Sequence, residues 1–194
     1  MIRLILLFLI STSSAFAESV VIGMDKEKVA ITATFDGSQI LLFGAVKRDK
    51  PAPIGDLQVI VTVAGPSERI SVHRKSKVLG IWMNTETVEV DAAPSFYAVA
   101  TSSNFLSTIS DTEDLRYKVS IPRAIRSVGA PMNVLDAVSF SEAVIRIRKE
   151  QGLYKLLENT VEIDEQTLFR TSIGMPADIS EGDYTARILL TRNG

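Results

Sequence analysis

The densest group of ionisable side chains in the sequence is a basic run within residues 69–77. Its members are interleaved with apolar Ile70 and Val72, which is the period-2 pattern of a strand with one charged face. The five basic or potentially basic side chains are Arg69, His73, Arg74, Lys75 and Lys77. Such a cluster can bind anionic lipid headgroups or an acidic loop of a partner protein. The alternative is an ordinary solvated strand edge.

His73 is the only histidine in the chain, so any imidazole chemistry would depend on this position. Catalysis by a Ser–His pair needs a serine nearby and an acid that orients the ring. The nucleophile-elbow pattern Gly-x-Ser-x-Gly does not occur in the sequence. Because basic residues surround it, His73 is predicted to be solvated rather than catalytic. A hydrolase with an unrecognised site remains one hypothesis for function, ranked third after the two given at the end of this section. No catalytic residue is assigned.

Two acidic groups have side chains that could supply oxygen ligands to a cation such as Ca²⁺. They are Asp111, Glu113 and Asp114 in one segment and Glu162, Asp164 and Glu165 in another. Neither has the Asp-x-Asp-x-Asp-Gly order of a calcium loop, and nothing fixes the carboxylate separation that glycoside hydrolysis requires. Both are interpreted as solvated acidic loops. The sequence therefore predicts no bound metal and no cofactor.

Three aromatic residues close together in the sequence are candidates for a binding platform. They are Phe96, Tyr97 and Trp82, the only tryptophan. Aromatic faces can bind a small ligand or a sugar, but such residues in a β-rich protein usually belong to the core. Tyr97 and Tyr184 are also expected to anchor corners of the fold through hydrogen bonds from their hydroxyl groups to nearby backbone.

The composition excludes several classes of function. The 194-residue chain has a formal net charge of −2, so it lacks the basic excess typical of nucleic-acid-binding proteins, and no nucleic-acid partner is predicted. It contains no cysteine. Disulfides, thiolate catalysis and metal sites with cysteine ligands are therefore excluded.

The N terminus has the three regions of a secretory signal peptide. Arg3 gives a positive start, residues 4–10 are apolar, and Ala15-Phe16-Ala17 is a small-x-small cleavage site. The apolar run is far shorter than the ~20 residues that span a bilayer, and an uncleaved anchor is the alternative. We predict an exported, periplasmic protein with a signal peptide at 1–17 and a single domain at 18–194.

The region Gly80–Ala100 is predicted to lie at the centre of the fold. Residues 86–91 alternate in polarity, and an aromatic strand follows Pro94. Residues 78–83 and 86–90 are interpreted as two successive strands. The aromatic content of the region favours a position in the core.

Further strands are predicted at short intervals along the chain. Residues 20–22 form a predicted edge strand, and Asp36-Gly37 is the turn of a hairpin that joins strands at 29–35 and 39–46. Short strands separated by turns are typical of a β-sandwich. The predicted fold is mainly β, an antiparallel immunoglobulin-like β-sandwich with a helical insertion at about 101–157.

The insertion contains one clearly predicted helix, which begins near Ser139. Ser139 and Glu142 have capping-box spacing, and the apolar residues that follow recur with helical spacing. Gly152 is placed to end the helix.

Five short segments occur in an order that resembles a known family. They are Gly80–Asn84, Pro94–Ala100, Gln151–Tyr154, Leu168–Thr171 and Glu181–Tyr184, and the resemblance covers 20–194. The chain is similar to an uncharacterised family of alphaproteobacterial putative transmembrane proteins. The resemblance implies an exported, mainly β domain followed by one C-terminal membrane helix, an anchor absent from this chain. It also implies a position beside sulfite-exporter-type permeases. The family has no established catalytic residues, so none is transferred.

The sequence as a whole predicts a non-enzymatic periplasmic interaction domain associated with the inner membrane. The expected partner is a membrane protein, and the resemblance implies a permease. The candidate surface of the chain for this partner is the basic run at 69–77. The alternative is a small-ligand or carbohydrate-binding β-sandwich module that uses Trp82, Phe96 and Tyr97.

Overall fold

The structure, a computed structural model, describes residues 19–24, 37–48, 54–125 and 136–194. Within these ranges the chain forms ten strands and four helices. The strands are β1 (Ser19–Met24), β2 (Ser38–Lys47), β3 (Gln58–Ala64), β4 (Ser67–Val78), β5 (Ile81–Pro94), β6 (Tyr97–Thr101), β7 (Tyr154–Leu157), β8 (Glu162–Asp164), β9 (Leu168–Met175) and β10 (Thr185–Thr191). The helices are α1 (Phe105–Thr108), α2 (Asp111–Tyr117), α3 (Ile121–Ala124) and α4 (Ala137–Glu150).

The first sheet has the strand order β1-β2-β9-β8, and its described pairs are all antiparallel. Strand β2 buries Ile40 and Leu42 and exposes Leu41 and Phe43, since successive side chains of a strand point to opposite faces. This sheet therefore has one face in the core and one face in solvent. The edge strand predicted at 20–22 and the strand predicted at 39–46 are confirmed as β1 and β2. The hairpin partner predicted at 29–35 lies outside the described residues.

The second sheet has the order β10-β3-β6-β7, and β6 and β7 are parallel. Residues 59–63 of β3 and all of β6 are buried. One face of the sheet packs against the first sheet, and the other packs against the segment that holds α1–α3. Tyr97 makes the second contact, because its Oη donates to the Val119 carbonyl oxygen 2.9 Å away, between α2 and α3.

The fold is mainly β, as predicted, with two sheets around a shared apolar core. Leu42, Val61 and Ile173 are fully buried, and burial of each such side chain stabilises the fold by about 1.5–3 kcal/mol. The predicted antiparallel arrangement is wrong for β6 and β7, which are parallel because the helical segment separates them in the chain. The immunoglobulin-like topology stays a prediction.

All four helices lie between β6 and β7, within the predicted insertion. The insertion ends before Tyr154, because β7 joins the second sheet. The predicted capping box at Ser139 and Glu142 is wrong. The N-cap is Asp136, whose carboxylate accepts a hydrogen bond from the Ser139 backbone N–H at 3.3 Å. The predicted end is confirmed, since α4 stops at Glu150 and Gly152 has a positive φ of 71°.

Strands β4 and β5 form a two-stranded hairpin of their own. The two strands predicted at 78–83 and 86–90 are wrong as separate elements, because the turn at Leu79-Gly80 divides the region and β5 then continues to Pro94. The central position predicted for Gly80–Ala100 holds for β6, which lies between β3 and β7. It is wrong for Ile81–Pro94, which form β5 of the hairpin.

The hairpin is attached to the rest of the fold through its base. Val90 of β5 belongs to the main core, and Val72 and Val88 pack on Phe140 of α4. The pairing of the two strands is interrupted by two β-bulges, one opposite Glu68–Ile70 and one opposite Arg74–Lys75. In both, the extra residue is on β5. The side chains of β4 therefore alternate between its two faces without interruption. Arg74 is the residue of β4 nearest the turn with a described hydrogen bond to the start of α4, and four residue pairs lie beyond it towards the turn.

Three tyrosine hydroxyl groups bind backbone carbonyls in or beside the core, which predicts a loss of stability at high pH. Burial is the main cause that raises the pKa of Tyr97 and Tyr184, and it raises the pKa of Tyr154 to about 12. A folded-state pKa above the unfolded value means that the unfolded state loses its proton first. We expect the free energy of unfolding to fall as the pH rises from about 10 towards 12, with Tyr154 contributing about 2–3 kcal/mol.

Urea unfolding at a series of pH values between 8 and 12 tests this expectation. Tyr154→Phe loses the hydrogen bond to the Pro94 carbonyl oxygen (2.8 Å), which costs about 1 kcal/mol at neutral pH, but its decline above pH 10 should be shallower. Tyr117→Phe, at an exposed tyrosine of α2, is the control and should keep the original slope. Equal slopes for Tyr154→Phe and Tyr117→Phe would contradict the assignment to Tyr154.

Candidate functional site

The basic run predicted at 69–77 lies on β4, but its members do not share one surface. Four of them occupy alternate positions and face the same side of the hairpin: Arg69, His73, Lys75 and Lys77. Arg74 faces the opposite side, towards α4. The predicted strand with one charged face is present for these four residues, and the prediction that all five basic groups form one surface is wrong for Arg74.

Arg74 holds the hairpin to α4. Its Nη1 donates to the Glu86 carboxylate at 2.8 Å on the neighbouring strand. Its Nη2 donates to the Ser139 hydroxyl and lies 3.5 Å from the Asp136 carboxylate. The guanidinium also lies 4.6 Å from the ring centroid of Phe140, within the range of a cation–π interaction. Arg74 is therefore part of the attachment and not of the outer surface.

The N-terminus of α4 favours this contact electrostatically. Interactions with the Ser139 hydroxyl and backbone N–H, and then with Arg74, hold the pKa of Asp136 below its ordinary value. A carboxylate at a helix N-terminus is also stabilised by the helix dipole. The ionised carboxylate of Asp136 therefore both caps α4 and interacts with the Arg74 guanidinium.

The other basic residues divide into two that have a described partner and two that have no ion pair. Arg69 lies 3.7 Å from Asp91, and Nδ1 of His73 is 2.9 Å from the Thr87 hydroxyl. Lys75 and Lys77 form no ion pair with any residue that the structure describes. The uncompensated positive charge therefore lies at the distal part of the hairpin.

The distal part of the hairpin, residues 75–84, is called the hairpin tip below. It exposes five apolar side chains around the turn: Val78, Leu79, Ile81, Trp82 and Met83. Leu79 is 99% exposed and Trp82 is 67% exposed. The tip contains Lys75 and Lys77 and no acidic residue. Exposed apolar side chains grouped in this way mark contact sites with a membrane or another protein.

Trp82, Phe96 and Tyr97 do not form an aromatic platform. Phe96 is 0% exposed and Tyr97 is 2% exposed, both in the core, whereas Trp82 pairs with Lys77 next to the turn. The length of β5 separates them by roughly 40 Å at 3.3 Å per residue. The ligand platform is wrong for all three residues, and the alternative assignment to the core is wrong for Trp82.

The acidic groups have structural partners. Asp114 is buried, accepts hydrogen bonds from the backbone N–H groups of Val119 and Ser120, and lies 3.0 Å from Arg123. Glu162 pairs with Arg170 across β8 and β9 at 2.6 Å. Within the described ranges, no three His, Asp or Glu side chains are grouped so that they could hold a metal ion. The interpretation as a solvated loop is wrong for Asp111, Glu113 and Asp114, which lie in α2, where Asp114 is an internal acceptor. It is also wrong for Glu162 and Asp164, which lie on β8.

Two of the surface depressions in the described part of the chain involve the first sheet and α4. One, of about 420 Å³, is on the first sheet and includes Val21, Phe43 and Leu168. The other, of about 620 Å³, runs between β4 and α4 and includes Val144 and Arg148. The second depression is also lined by His73, Lys75, Ser95 and Asp178. Nδ1 of His73, however, lies 2.9 Å from the Thr87 hydroxyl. Among the described residues no hydrogen bond joins the imidazole to a serine or a carboxylate, as covalent catalysis would need.

The hairpin tip is the feature that the sequence reasoning missed. Leu79 and Gly80 have φ values of 50° and 87°, as a two-residue hairpin turn with two positive φ angles requires. Asn-Gly and Asp-Gly are the usual sequences of this turn, so the Leu79-Gly80 dipeptide alone does not predict a hairpin. Alternating residues on both sides of Leu79-Gly80 were the signal that could have located it.

Comparisons with known proteins provide one match. The model of a family described as "Putative transmembrane protein (Alph_Pro_TM)" matches residues 19–194. No curated protein and no solved structure matches the chain significantly. In the part of the chain that the structure describes, none of the helices has the length and apolar character needed to cross a bilayer.

Proposed function

This chain belongs to that family of putative transmembrane proteins, and on this premise we propose that it is an exported interaction domain that works at a membrane surface. Its proposed partner is an inner-membrane protein, and the family resemblance favours a permease. The domain acts by binding and not by catalysis. The proposed location is the periplasmic side of the inner membrane, in line with the signal-peptide pattern of residues 1–17.

The observation that carries this proposal is the hairpin tip. A soluble domain ordinarily buries a tryptophan and its apolar neighbours, yet here they stand at the end of a projecting hairpin. The two lysines beside them lack acidic partners among the described residues. An exposed apolar group next to uncompensated positive charge suits contact with a component of a membrane whose surface is negative.

The proposal of a non-catalytic role is supported by the positions of the candidate reactive groups. His73 is an exposed residue bonded to Thr87, Asp114 is bonded to backbone N–H groups, and Glu162 is paired with Arg170. Each of these groups has a structural partner and lies in a different part of the fold. The small-ligand alternative lacks its platform, since Trp82 is distant from Phe96 and Tyr97.

Photo-crosslinking in intact cells tests the proposal. A benzophenone amino acid at position 82 should form crosslinks to a membrane component, and the chain should be recovered in the membrane fraction. Position 106 is the matched control, because Leu106 is 80% exposed on α1, away from the hairpin. We expect position 82 to form crosslinks to membrane components and position 106 to form few or none.

Affinity purification of the tagged chain from native membranes identifies the partner. Recovery of a stoichiometric inner-membrane protein would support the proposed partner. Equal crosslinking at positions 82 and 106, together with a chain found only in the soluble fraction, would overturn the proposed function.

A further inference from the structure

We infer that the hairpin tip inserts into the headgroup–acyl boundary of a bilayer that contains anionic lipid. The inference rests on the proposed function and deepens it, since it names lipid as the component that the tip contacts. It uses only the tip, residues 75–84, and leaves the body of the domain free for a protein partner.

The distribution of side chains along the tip matches the layers of a membrane interface. The turn and the adjacent pairs are apolar: Val78 pairs with Ile81, and Leu79 lies in the turn. The next pair, Lys77 and Trp82, joins a cation to an indole, and tryptophan favours the boundary between acyl chains and headgroups. Behind them, Lys75 pairs with polar Asn84. The pair between them, Ser76 and Met83, is of mixed polarity. The tip is therefore apolar at the turn, mixed in its middle and polar where it joins the rest of the hairpin.

The dimensions of the tip also suit shallow insertion. Four residue pairs extend beyond Arg74 and Glu86, from Lys75/Asn84 to Val78/Ile81. At about 3.3 Å per residue they reach roughly 13 Å, and interfacial segments bury their apolar faces about 5–10 Å deep. Lysine ammonium groups on flexible stems can remain at the headgroups while the pairs nearer the turn enter the acyl region.

Leu79 supplies independent support. It has a φ of 50° and is 99% exposed, so it occupies the left-handed region without any compensating packing. Asparagine, aspartate or glycine would suit the turn better, because they adopt this conformation at lower cost. A leucine at this position therefore opposes the local preference of the backbone and gains nothing within the described fold. Such violations of local preference are typical of functional positions.

The shape of the tip favours lipid over a protein surface. Two strands lie about 4.8 Å apart, so the tip is a narrow, convex projection. A stable protein interface usually buries about 800 Å² on each partner, which is more than a projection of this width presents to a flat surface. A bilayer needs no complementary pocket, and the anionic headgroups of its surface complement Lys75 and Lys77.

The attachment at the base keeps the tip oriented. Arg74 joins the last hairpin pair before the tip to Asp136 and Ser139 of α4, and Val88 packs on Phe140. A projection that is held in one direction loses less conformational freedom on binding than a free loop would.

The fluorescence of Trp82 tests the inference directly, because Trp82 is the only tryptophan in the chain. The chain is purified after export, and its N terminus is determined by mass spectrometry so that the apolar segment 4–10 does not contribute. Vesicles of phosphatidylglycerol and phosphatidylcholine should shift the Trp82 emission to shorter wavelength. Lipids brominated near the headgroup end of the acyl chain should quench it. Vesicles of phosphatidylcholine alone should bind more weakly by at least tenfold.

Matched variants separate lipid contact from a structural role. Leu79→Asn keeps or improves the turn and should weaken vesicle binding roughly tenfold without lowering the unfolding midpoint. Leu106→Asn, at an exposed leucine off the hairpin, should leave binding unchanged. Lys75→Gln with Lys77→Gln should weaken binding at least tenfold, while Lys149→Gln on α4 should have no comparable effect.

The outcomes distinguish this inference from the proposed function. Crosslinking at position 82 to an inner-membrane protein, with no vesicle binding and no shift of Trp82 emission, would overturn the lipid assignment and leave the proposed function standing. Vesicle binding that is insensitive to Leu79→Asn and to the lysine variants would also overturn it. Absence of both vesicle binding and position-82 crosslinks would remove both proposals.

Discussion

Phe96→Ala is expected to lower the free energy of unfolding by about 3–5 kcal/mol, whereas Trp82→Ala should change it by about 0.5 kcal/mol or less. Both substitutions remove a large aromatic ring, and both residues were candidates for the same ligand platform. The difference arises entirely from where the fold places them. Phe96 is 0% exposed, and Trp82 is 67% exposed at the hairpin tip.

Phe96 lies where the hairpin meets the second sheet. Its carbonyl oxygen accepts from the Gly65 N–H at 2.8 Å, and its ring lies 6.3 Å from that of Tyr184 at an angle of 52°. A tilted aromatic pair of this geometry contributes about 0.5–1.5 kcal/mol beyond burial. The alanine variant would leave a cavity bounded by strands, and strands relax poorly into such a space. We therefore expect the cost to lie in the usual range for large-to-small core substitutions.

Urea and thermal unfolding of the two variants provide the measurement. For a domain of this size, the expected loss corresponds to a fall in Tm of roughly 6–20 °C for Phe96→Ala and almost none for Trp82→Ala. Phe96→Leu, which keeps most of the apolar volume, should lie between wild type and Phe96→Ala and remains measurable if the alanine variant fails to fold. A near-neutral Phe96→Leu and Phe96→Ala, or a large effect of Trp82→Ala, would contradict the fold at these positions.

Strands β2 and β3 were predictable because apolar and β-branched residues are concentrated there between turn residues. Residues 59–63 of β3 are buried on both faces, whereas β2 leaves Leu41 and Phe43 exposed. The helix α4 was predictable because Phe140 and Val144 lie at helical spacing, and both are buried. Its first turn was misplaced by a few residues, because Asp136 and Ser139 are both capable caps.

The hairpin was harder to predict because alternation does not reveal which surface covers a face. Val88 and Val90 alternate as in any half-buried strand, and they are indeed buried. The alternation then breaks at a bulge near Thr85, and the apolar residues on its far side have no covering element among the described residues. Average preferences place Trp82 in the core, and only the tertiary arrangement shows that it lies beyond the contact with α4.

The candidate site was partly predictable from charge. The sequence indicated the basic run as a surface to test, and the structure places Lys75 and Lys77 on the exposed hairpin. Sequence could not show that Arg74 faces α4, because its partners Asp136 and Ser139 are distant in the chain. Nor could it show that Arg69 is offset by Asp91 across the hairpin. The exposed positive charge without an acidic partner is therefore carried by fewer residues than the sequence predicted, and these residues lie nearer the hairpin turn.

Asp114→Ala is expected to lower the free energy of unfolding by about 3–5 kcal/mol, the usual cost of removing one partner of a buried ion pair. One carboxylate oxygen accepts from the N–H groups of Val119 and Ser120, at 3.0 and 2.7 Å. The other oxygen lies 3.0 Å from Arg123. These contacts hold the end of α2 to the start of α3. Without them, a buried N–H and a half-buried guanidinium lose their partner, which is costly inside a protein.

Matched variants and a calcium titration distinguish this role from that of a cation ligand. Asp114→Asn keeps one acceptor oxygen for the backbone N–H groups and loses the charge, so it should cost less than Asp114→Ala. Asp111→Ala, at a neighbouring carboxylate that is 95% exposed, should be close to neutral. Urea unfolding with and without 1 mM Ca²⁺ should give the same midpoint for the wild type. A midpoint raised by Ca²⁺ and restored by Asp111→Ala would instead make the acidic group a calcium site, and an internal acceptor role for Asp114 would then be wrong.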